Sequence, residues 1–248
     1  MKPFIPFLIG AAGFAVSAFS AVTPPMTSDE ILQAHTDARG GLEAIQTVDS
    51  MDVRLTIDEG WVATGHYQAV RDGSMRIDVY IGEERVFTEA LLDGDAWSMQ
   101  QGEITGTPIT EEEAQILWRG VLGNLYAMQE WSDHGVVVNA RGPEALDGED
   151  FWIIDITHED GFQDRYYLDI ESFLIARQRS DHSLHPAVDP TVQRFETRYS
   201  DYREVDGIMF AFREEKYDLD TGERAQLVTI QSREFNGVND HTAFEQPQ

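Results

Sequence analysis

Hydrophobic and polar residues exchange places at every second position through most of this chain, and short turn signals separate the runs. From Met51 to Gln100 the segments MDVRLTIDEG, WVATGHYQAVRDG, SMRIDVYIG, ERVFTEALLDGD and AWSMQQG read as strands, and the Asp-Gly and Glu-Gly pairs among them predict an antiparallel meander. Ile77, Val79 and Ile81 alternate with Arg76, Asp78 and Tyr80, the pattern of a sheet with one buried face. Strand text resumes at GVVVNARG and continues through DFWIIDITHED, FQDRYYLDI, SFLIARQRSD, VQRFETRYSDYREVDG, IMFAFREEKYDLD and RAQLVTIQSREFNG. Within YSDYREVDGIMFAF, Asp206-Gly207 supplies the positive φ values of a tight hairpin turn between a polar arm and an apolar one.

Two places break the alternation. Thr27-Ser28-Asp29-Glu30 is a capping box, with a helix expected from about Ser28 to Ala38. Arg39-Gly40-Gly41 interrupts it, and Leu42, Ile45 and Val48 predict one more short turn before the first strand. Thr110-Glu111-Glu112-Glu113 is a second capping box, followed at helical spacing by Ala114, Leu117, Trp118, Val121, Leu122, Leu125 and Met128. Gly120 and Gly123 weaken this central helix intrinsically, so tertiary packing must hold it or let it move. No linker divides the strand text, which predicts one mainly β domain over residues 21–248 with helices at its start and middle.

The first residues follow a different logic. Lys2 precedes an apolar stretch from Phe4 to Phe19 that is short for a bilayer span and ends in small residues, the signature of a cleaved export signal over residues 1–20. Cleavage is expected before Phe19 or Ala21, with an uncleaved anchor as the other reading. The chain has no cysteine, which excludes disulfides and a cysteine-linked lipid. Its formal charge is −27 over 248 residues. That field repels nucleic-acid phosphates and favours a basic protein partner.

Candidate chemistry is sparse. Asp181, His182, His185 and Asp189 fall within RSDHSLHPAVDP, where a divalent metal or an ordinary strand connection fits. His158, Glu159 and Asp160 offer an acid or base, or the solvated tip of a hairpin. No phosphate loop, nucleophile elbow, zinc-protease helix or thiol nucleophile is present. The aromatic load is large for such a sheet and can fill a core or line an apolar cavity.

DARGGLEAIQTVDSM, GHYQAVRDGSMRIDVYIG, VFTEALLDGDAWSM, YLDIESFLIARQ and the YSDYREVDGIMFAF hairpin resemble the outer-membrane lipoprotein-sorting family, the LolA-like periplasmic carriers. The resemblance implies a strongly curved antiparallel sheet forming an unclosed barrel, with the helices as lid and an apolar interior for acyl chains. It implies a periplasmic, monomeric, non-enzymatic carrier without cofactor, metal or catalytic residue. The cargo is an acyl lipid or lipoprotein, and a basic membrane-associated protein is its donor or acceptor. The interior is then lined by Trp97, Trp118, Leu122, Leu125, Phe195, Phe210 and Phe212. On the hairpin, Phe210 and Phe212 share one face and Met209 and Ala211 the other; Arg194, Glu196 and Arg198 face solvent, with Phe195, Thr197 and Tyr199 inward. In those carriers an arginine after the second strand hydrogen-bonds lid backbone and holds the empty cavity shut. Arg71 stands there by local pattern, although Asp72 replaces a proline and no lysine precedes it; a hairpin-end arginine paired with Asp72 or Asp78 is the alternative. Two rival functions remain: an interaction or sensor module of the same fold with a filled interior, and a metal-dependent hydrolase built on the loop from Asp181 to Asp189.

Overall fold

The computed structural model describes residues 26–184 and 189–248, so the expected export signal and His185 lie outside the described residues. Helix α1 (Ser28–Ala38) begins where the capping box places it: the Thr27 hydroxyl accepts from the Glu30 N–H at 3.3 Å, and the Glu30 carboxylate accepts from the Thr27 N–H at 2.8 Å. Thr110 and Glu113 repeat the arrangement at the head of α3 (Glu111–Leu125), at 3.2 and 2.8 Å. Each box satisfies backbone donors that a helix start otherwise leaves orphaned. The short α2 (Leu42–Gln46) lies between. The central helix stops at Leu125, before Met128, because Tyr126 turns to an extended conformation. The chain then winds through a 3-10 turn, Met128–His134, which Gly135 ends in a left-handed conformation at φ 76°.

Strands β1 (Ser50–Asp58), β2 (Val62–Val70), β3 (Met75–Ile81), β4 (Glu84–Leu92), β5 (Asp95–Gln100) and the short β6 (Thr107–Pro108) step from the middle of the sheet to one edge. Helix α3 and the 3-10 turn carry the chain to the opposite edge. There β7 (Val137–Leu146) starts a return through β8 (Glu149–Thr157), β9 (Gln163–Asp169), β10 (Ile175–His182), β11 (Gln193–Val205), β12 (Ile208–Asp218) and β13 (Arg224–Phe235). Strand β13 pairs with β1, so the described residues form one antiparallel sheet of 13 strands, open between β6 and β7. The alternation predicted the antiparallel strands, and the resemblance implied the unclosed half-barrel they form.

Helices α1 and α3 cover one face. Leu117, Val121, Leu122 and Leu125 of α3 and Ile31 and Leu32 of α1 join Met51, Val53, Met75, Leu91 and Ile154 of the strands in the main core. The other face is covered too, which corrects the expectation of a single buried face. Asp78 of β3 is 7% exposed, accepting from Arg76 at 2.8 Å and from Thr88 at 2.6 Å. A C-terminal 3-10 turn, His241–Phe244, lies over this region, and Arg76 donates to the Ala243 carbonyl at 2.7 Å. Nothing periodic in the sequence marked that turn. Glu196 is a second correction: it is 1% exposed, because Arg179 at 2.7 Å, Arg198 at 2.8 Å and Arg177 at 3.5 Å enclose it. An alternation reading assigns it to solvent, but charges of opposite sign on neighbouring strands bury one another.

The predicted Asp206-Gly207 turn forms, with φ of 48° and 84°. It also receives α1. The Met209 N–H donates to the Arg39 carbonyl at 2.9 Å, and Gly40, at φ 116°, sits so close to the turn that a Cβ there would be 2.1 Å from the Gly207 oxygen. Replacing Gly40→Ala is expected to lower stability by about 2–4 kcal/mol through strain and backbone collision. Gly41→Ala, at φ 93° with open space around it, is expected to cost about half as much. Urea-unfolding midpoints of the two variants test the difference.

Candidate functional site

Three helical ends meet at the turn after β2. Arg71, the residue following β2, sends its guanidinium into this junction: Nη2 donates to the Ile45 carbonyl at 2.9 Å and to the Leu125 carbonyl at 2.7 Å, and Nε donates to the Val48 carbonyl at 3.2 Å. Nη1 lies 3.4 Å from the Glu130 carboxylate in the 3-10 turn. Ile45 belongs to α2 and Leu125 closes α3, so one cation bonds a carbonyl at the end of each helix, where the helix dipoles are negative, the Ile45 carbonyl also accepting from the Val48 N–H at 3.2 Å. The guanidinium also lies 4.4 Å from the centre of the Tyr126 ring, and the Tyr126 hydroxyl donates to the Arg71 carbonyl. Burial raises the Tyr126 pKa, against the opposing pull of Arg71. Arg71 is thus not engaged with Asp72 or Asp78.

The seven apolar candidates separate into different surroundings. Leu122 and Leu125 are fully buried on the inner face of α3. Trp118 is only partly buried and packs edge-on to Tyr126 and His134 at 6.2 and 5.4 Å. Phe210 and Phe212 both lie in the main core, and Phe210 lines a half-open pocket of about 100 Å³. Phe195 is buried between His182, at 4.8 Å, and the Lys216 ammonium, at 5.5 Å. Trp97 is the exception. Its neighbour Ala96 faces α3, so Trp97 points to the opposite face, in a separate cluster with Ala90 and Met99, donating to the Phe244 carbonyl at 2.9 Å. Trp97 is a lock for the C-terminal turn and does not line the interior.

The interior is also more polar than an aromatic count suggests. Tyr199, Gln178, Tyr166 and Asp164 form a chain across β9, β10 and β11: Tyr199 donates to Gln178 at 2.6 Å, and Gln178 donates to Asp164 at 2.7 Å and to Tyr166 at 3.1 Å. His158 sits 3.2 Å from Asp164. Glu214 and Lys216 continue the same alternate set as Phe210 and Phe212, and burial moves both toward neutrality, raising the carboxyl and lowering the ammonium. A sequence signal existed: FREEKYD keeps the inward parity while changing from apolar to charged.

His182 ends β10 with Nε2 3.1 Å from the Lys216 ammonium, which donates to it. A ring held by an ammonium is a poor start for a cation site, and no cluster of three or more histidine and acidic residues of metal-binding geometry occurs among the described residues. Asp160 pairs with Arg119 at 2.6 Å, as a hairpin-tip charge bonded to α3.

Solved structures share this architecture. A LolA superfamily protein from Nitrosomonas europaea superposes with a TM-score of 0.57 at 16% identity, over 89% of this chain and 98% of its own. A DUF1329 family protein from Desulfovibrio piger gives 0.56 at 13% identity, over 88% of this chain and 99% of its own. A structure described as an outer membrane lipoprotein-sorting protein domain, from Vibrio parahaemolyticus, gives 0.51 at 11%, over 87% of this chain and 95% of its own. No protein-family model matches the chain, and no curated protein does. The fold is LolA-like.

His35 of α1 closes the site from the other side. It is 1% exposed, its Nδ1–H donates to the Phe173 carbonyl at 2.8 Å, and its Nε2 has no partner among the described residues. Burial, aided by Arg39, lowers its pKa to about 4. The unfolded chain, titrating near 6.5, therefore binds more protons than the folded one between pH 6.5 and 4, so stability is lost as pH falls through that window. The loss from His35 is at most about 3 kcal/mol; half-buried His182, also lowered to about 4, adds to it with the same sign. The variant His35→Gln, which keeps the donor to Phe173, is expected to flatten the fall in Tm between pH 7 and 4.5. An unchanged profile would show that another group carries the acid sensitivity.

Proposed function

We propose that this chain is an exported, non-enzymatic carrier that takes acyl chains of lipids or lipoproteins into the interior of the half-barrel, with α3 as its lid. The observation that carries this reading is the Arg71 junction. A single side chain bonds the ends of α2 and α3 together, so one local event frees the helix that covers the concave face. The LolA-like fold supports the same reading, and among the described residues no helix is long and apolar enough to cross a membrane. The acidic surface suits docking to a basic membrane-associated donor or acceptor.

In the closed form Leu117, Val121, Leu122 and Leu125 occupy the space that cargo would take. Burying an aliphatic side chain is worth about 1.5–3 kcal/mol, so lifting this stripe costs roughly 6–12 kcal/mol. An acyl chain of about sixteen carbons recovers a similar amount at about 0.8 kcal/mol per methylene. The exchange is near balance, which is what loading and release both require. Gly120 and Gly123 face open space and lower the helix's own stability.

The filled interior specifically favours a second reading, an interaction module of the same fold whose core never opens. The latch separates the two. Replacing Arg71→Leu is expected to lower the Tm of the ligand-free protein by about 5 °C. In a carrier it also tightens binding of a fluorescent acyl probe several-fold, because the closed form no longer competes as strongly. A lowered Tm with no probe uptake by either the native or the variant protein would reject the carrier and favour the module.

A further inference from the structure

The cavity of about 100 Å³ beneath α1 has a lining at odds with an apolar carrier. Arg39 at the end of α1 and Arg233 of β13 both reach it, each at most 9% exposed. Their guanidinium carbons stand 5.3 and 4.1 Å from the centre of the same Phe210 ring. Neither cation has a carboxylate within ion-pair distance among the described residues. Arg233 bonds Asn124 of α3 at 3.1 Å and the Met51 sulfur at 3.0 Å, and its buried Nε donor has no partner among the described residues. The Arg39 guanidinium makes no hydrogen bond to the described residues, although its backbone is bonded on both sides.

Elsewhere this protein pairs its arginines thoroughly. Arg76, Arg119, Arg141, Arg177, Arg179 and Arg203 each meet a carboxylate at 3.0 Å or less. In a chain of net charge −27, acidic partners are plentiful, yet two guanidiniums are desolvated together with no carboxylate at ion-pair distance among the described residues, Glu214 acting on Arg233 and Glu130 on Arg39 only from farther away. Stacking on Phe210 offsets only part of that cost. Glu214, the acid that shares the lining, forms no ion pair with either arginine among the described residues, and its burial favours the neutral form.

We propose that this pocket receives the carboxylate head of a long-chain fatty acid or a closely similar anionic amphiphile, held between Arg39 and Arg233. The volume is about three water molecules, room for a carboxylate and its first carbon. A guanidinium presents paired donors in the geometry a carboxylate accepts. Asn124, one residue from the buried Leu125, ties Arg233 to the lid, so an anion drawing on Arg233 competes directly with a lid contact. This inference rests on the carrier reading and adds the head-group chemistry to it.

The test is competition of a fluorescent fatty acid against its uncharged methyl ester on the full-length exported protein. The native protein is expected to bind the acid at least tenfold more tightly than the ester. Arg39→Met and Arg233→Met should each bring that preference to within about twofold while leaving ester binding intact, and ester binding reports that the variants are folded. Glu214→Gln should keep or sharpen the preference. Equal binding of acid and ester by the native protein overturns the head-group site while the carrier stands; binding of neither overturns both. Stabilisation by inorganic phosphate that depends on both arginines, with no acid–ester difference, assigns the pocket to a free oxyanion and refutes the lipid assignment.

Discussion

A sheet of thirteen antiparallel strands that does not close must cover its concave face with something, and here the chain does so at its one long crossover. The path from β6 to β7 runs from edge to edge, so whatever spans it lies across the mouth of the half-barrel. Helix α3 is that span. Its inner stripe supplies the apolar contacts, and its C-terminal carbonyl is bonded from below by Arg71 of the β2 end. Most of the remaining arrangement follows from this crossing: α1 fills what α3 leaves open, and the 3-10 turn at Met128–His134 threads between them.

The open edges carry their own safeguards. Strand β6 is two residues long, and β7 loses register between Arg141 and Glu144, where Gly142 and Pro143 interrupt the ladder. Short, interrupted edges discourage pairing with another copy. On the outer face, arginines and carboxylates of adjacent strands pair so closely that Glu196 is removed from water, and Arg177 and Arg179 lie over Phe151 and Tyr167. The sheet is therefore covered on both sides by different means, helices within and charge-paired side chains and a C-terminal turn without.

The interior combines two chemistries that are distinct in origin. The α3 side is aliphatic, while β9 to β13 present tyrosines, a glutamine, an aspartate, a glutamate and a lysine toward the same space. Polar groups of this kind are costly when dry, and the bonded chain from Tyr199 to Asp164 shows how most are satisfied. Among the described residues, buried side-chain atoms without a hydrogen-bond partner occur at His35, Tyr67, Trp131 and Arg233, and two of these, His35 and Arg233, line the pocket beside α1. An interior built this way is apolar toward α3 and polar toward the later strands.

Strand alternation, the two capping boxes, the Asp-Gly turn and the missing cysteines were all readable in the sequence, because each is decided by neighbours within a few positions. Arg71 could be singled out by its place after the second strand, and Leu122 and Leu125 by helical spacing. The sequence could not reveal which face of β5 would carry Trp97, that the final residues would return to cover it, or that Glu196 would be enclosed by two arginines of β10 and one of its own strand. Those outcomes depend on the curvature of the sheet and on contacts between residues far apart along the chain, such as Trp97 with Phe244 and Arg39 with Phe210. Local sequence determined the elements and their amphipathic faces; only the tertiary structure decided which charges would share a buried space, since burial is set by what packs above a residue and not by the residues beside it.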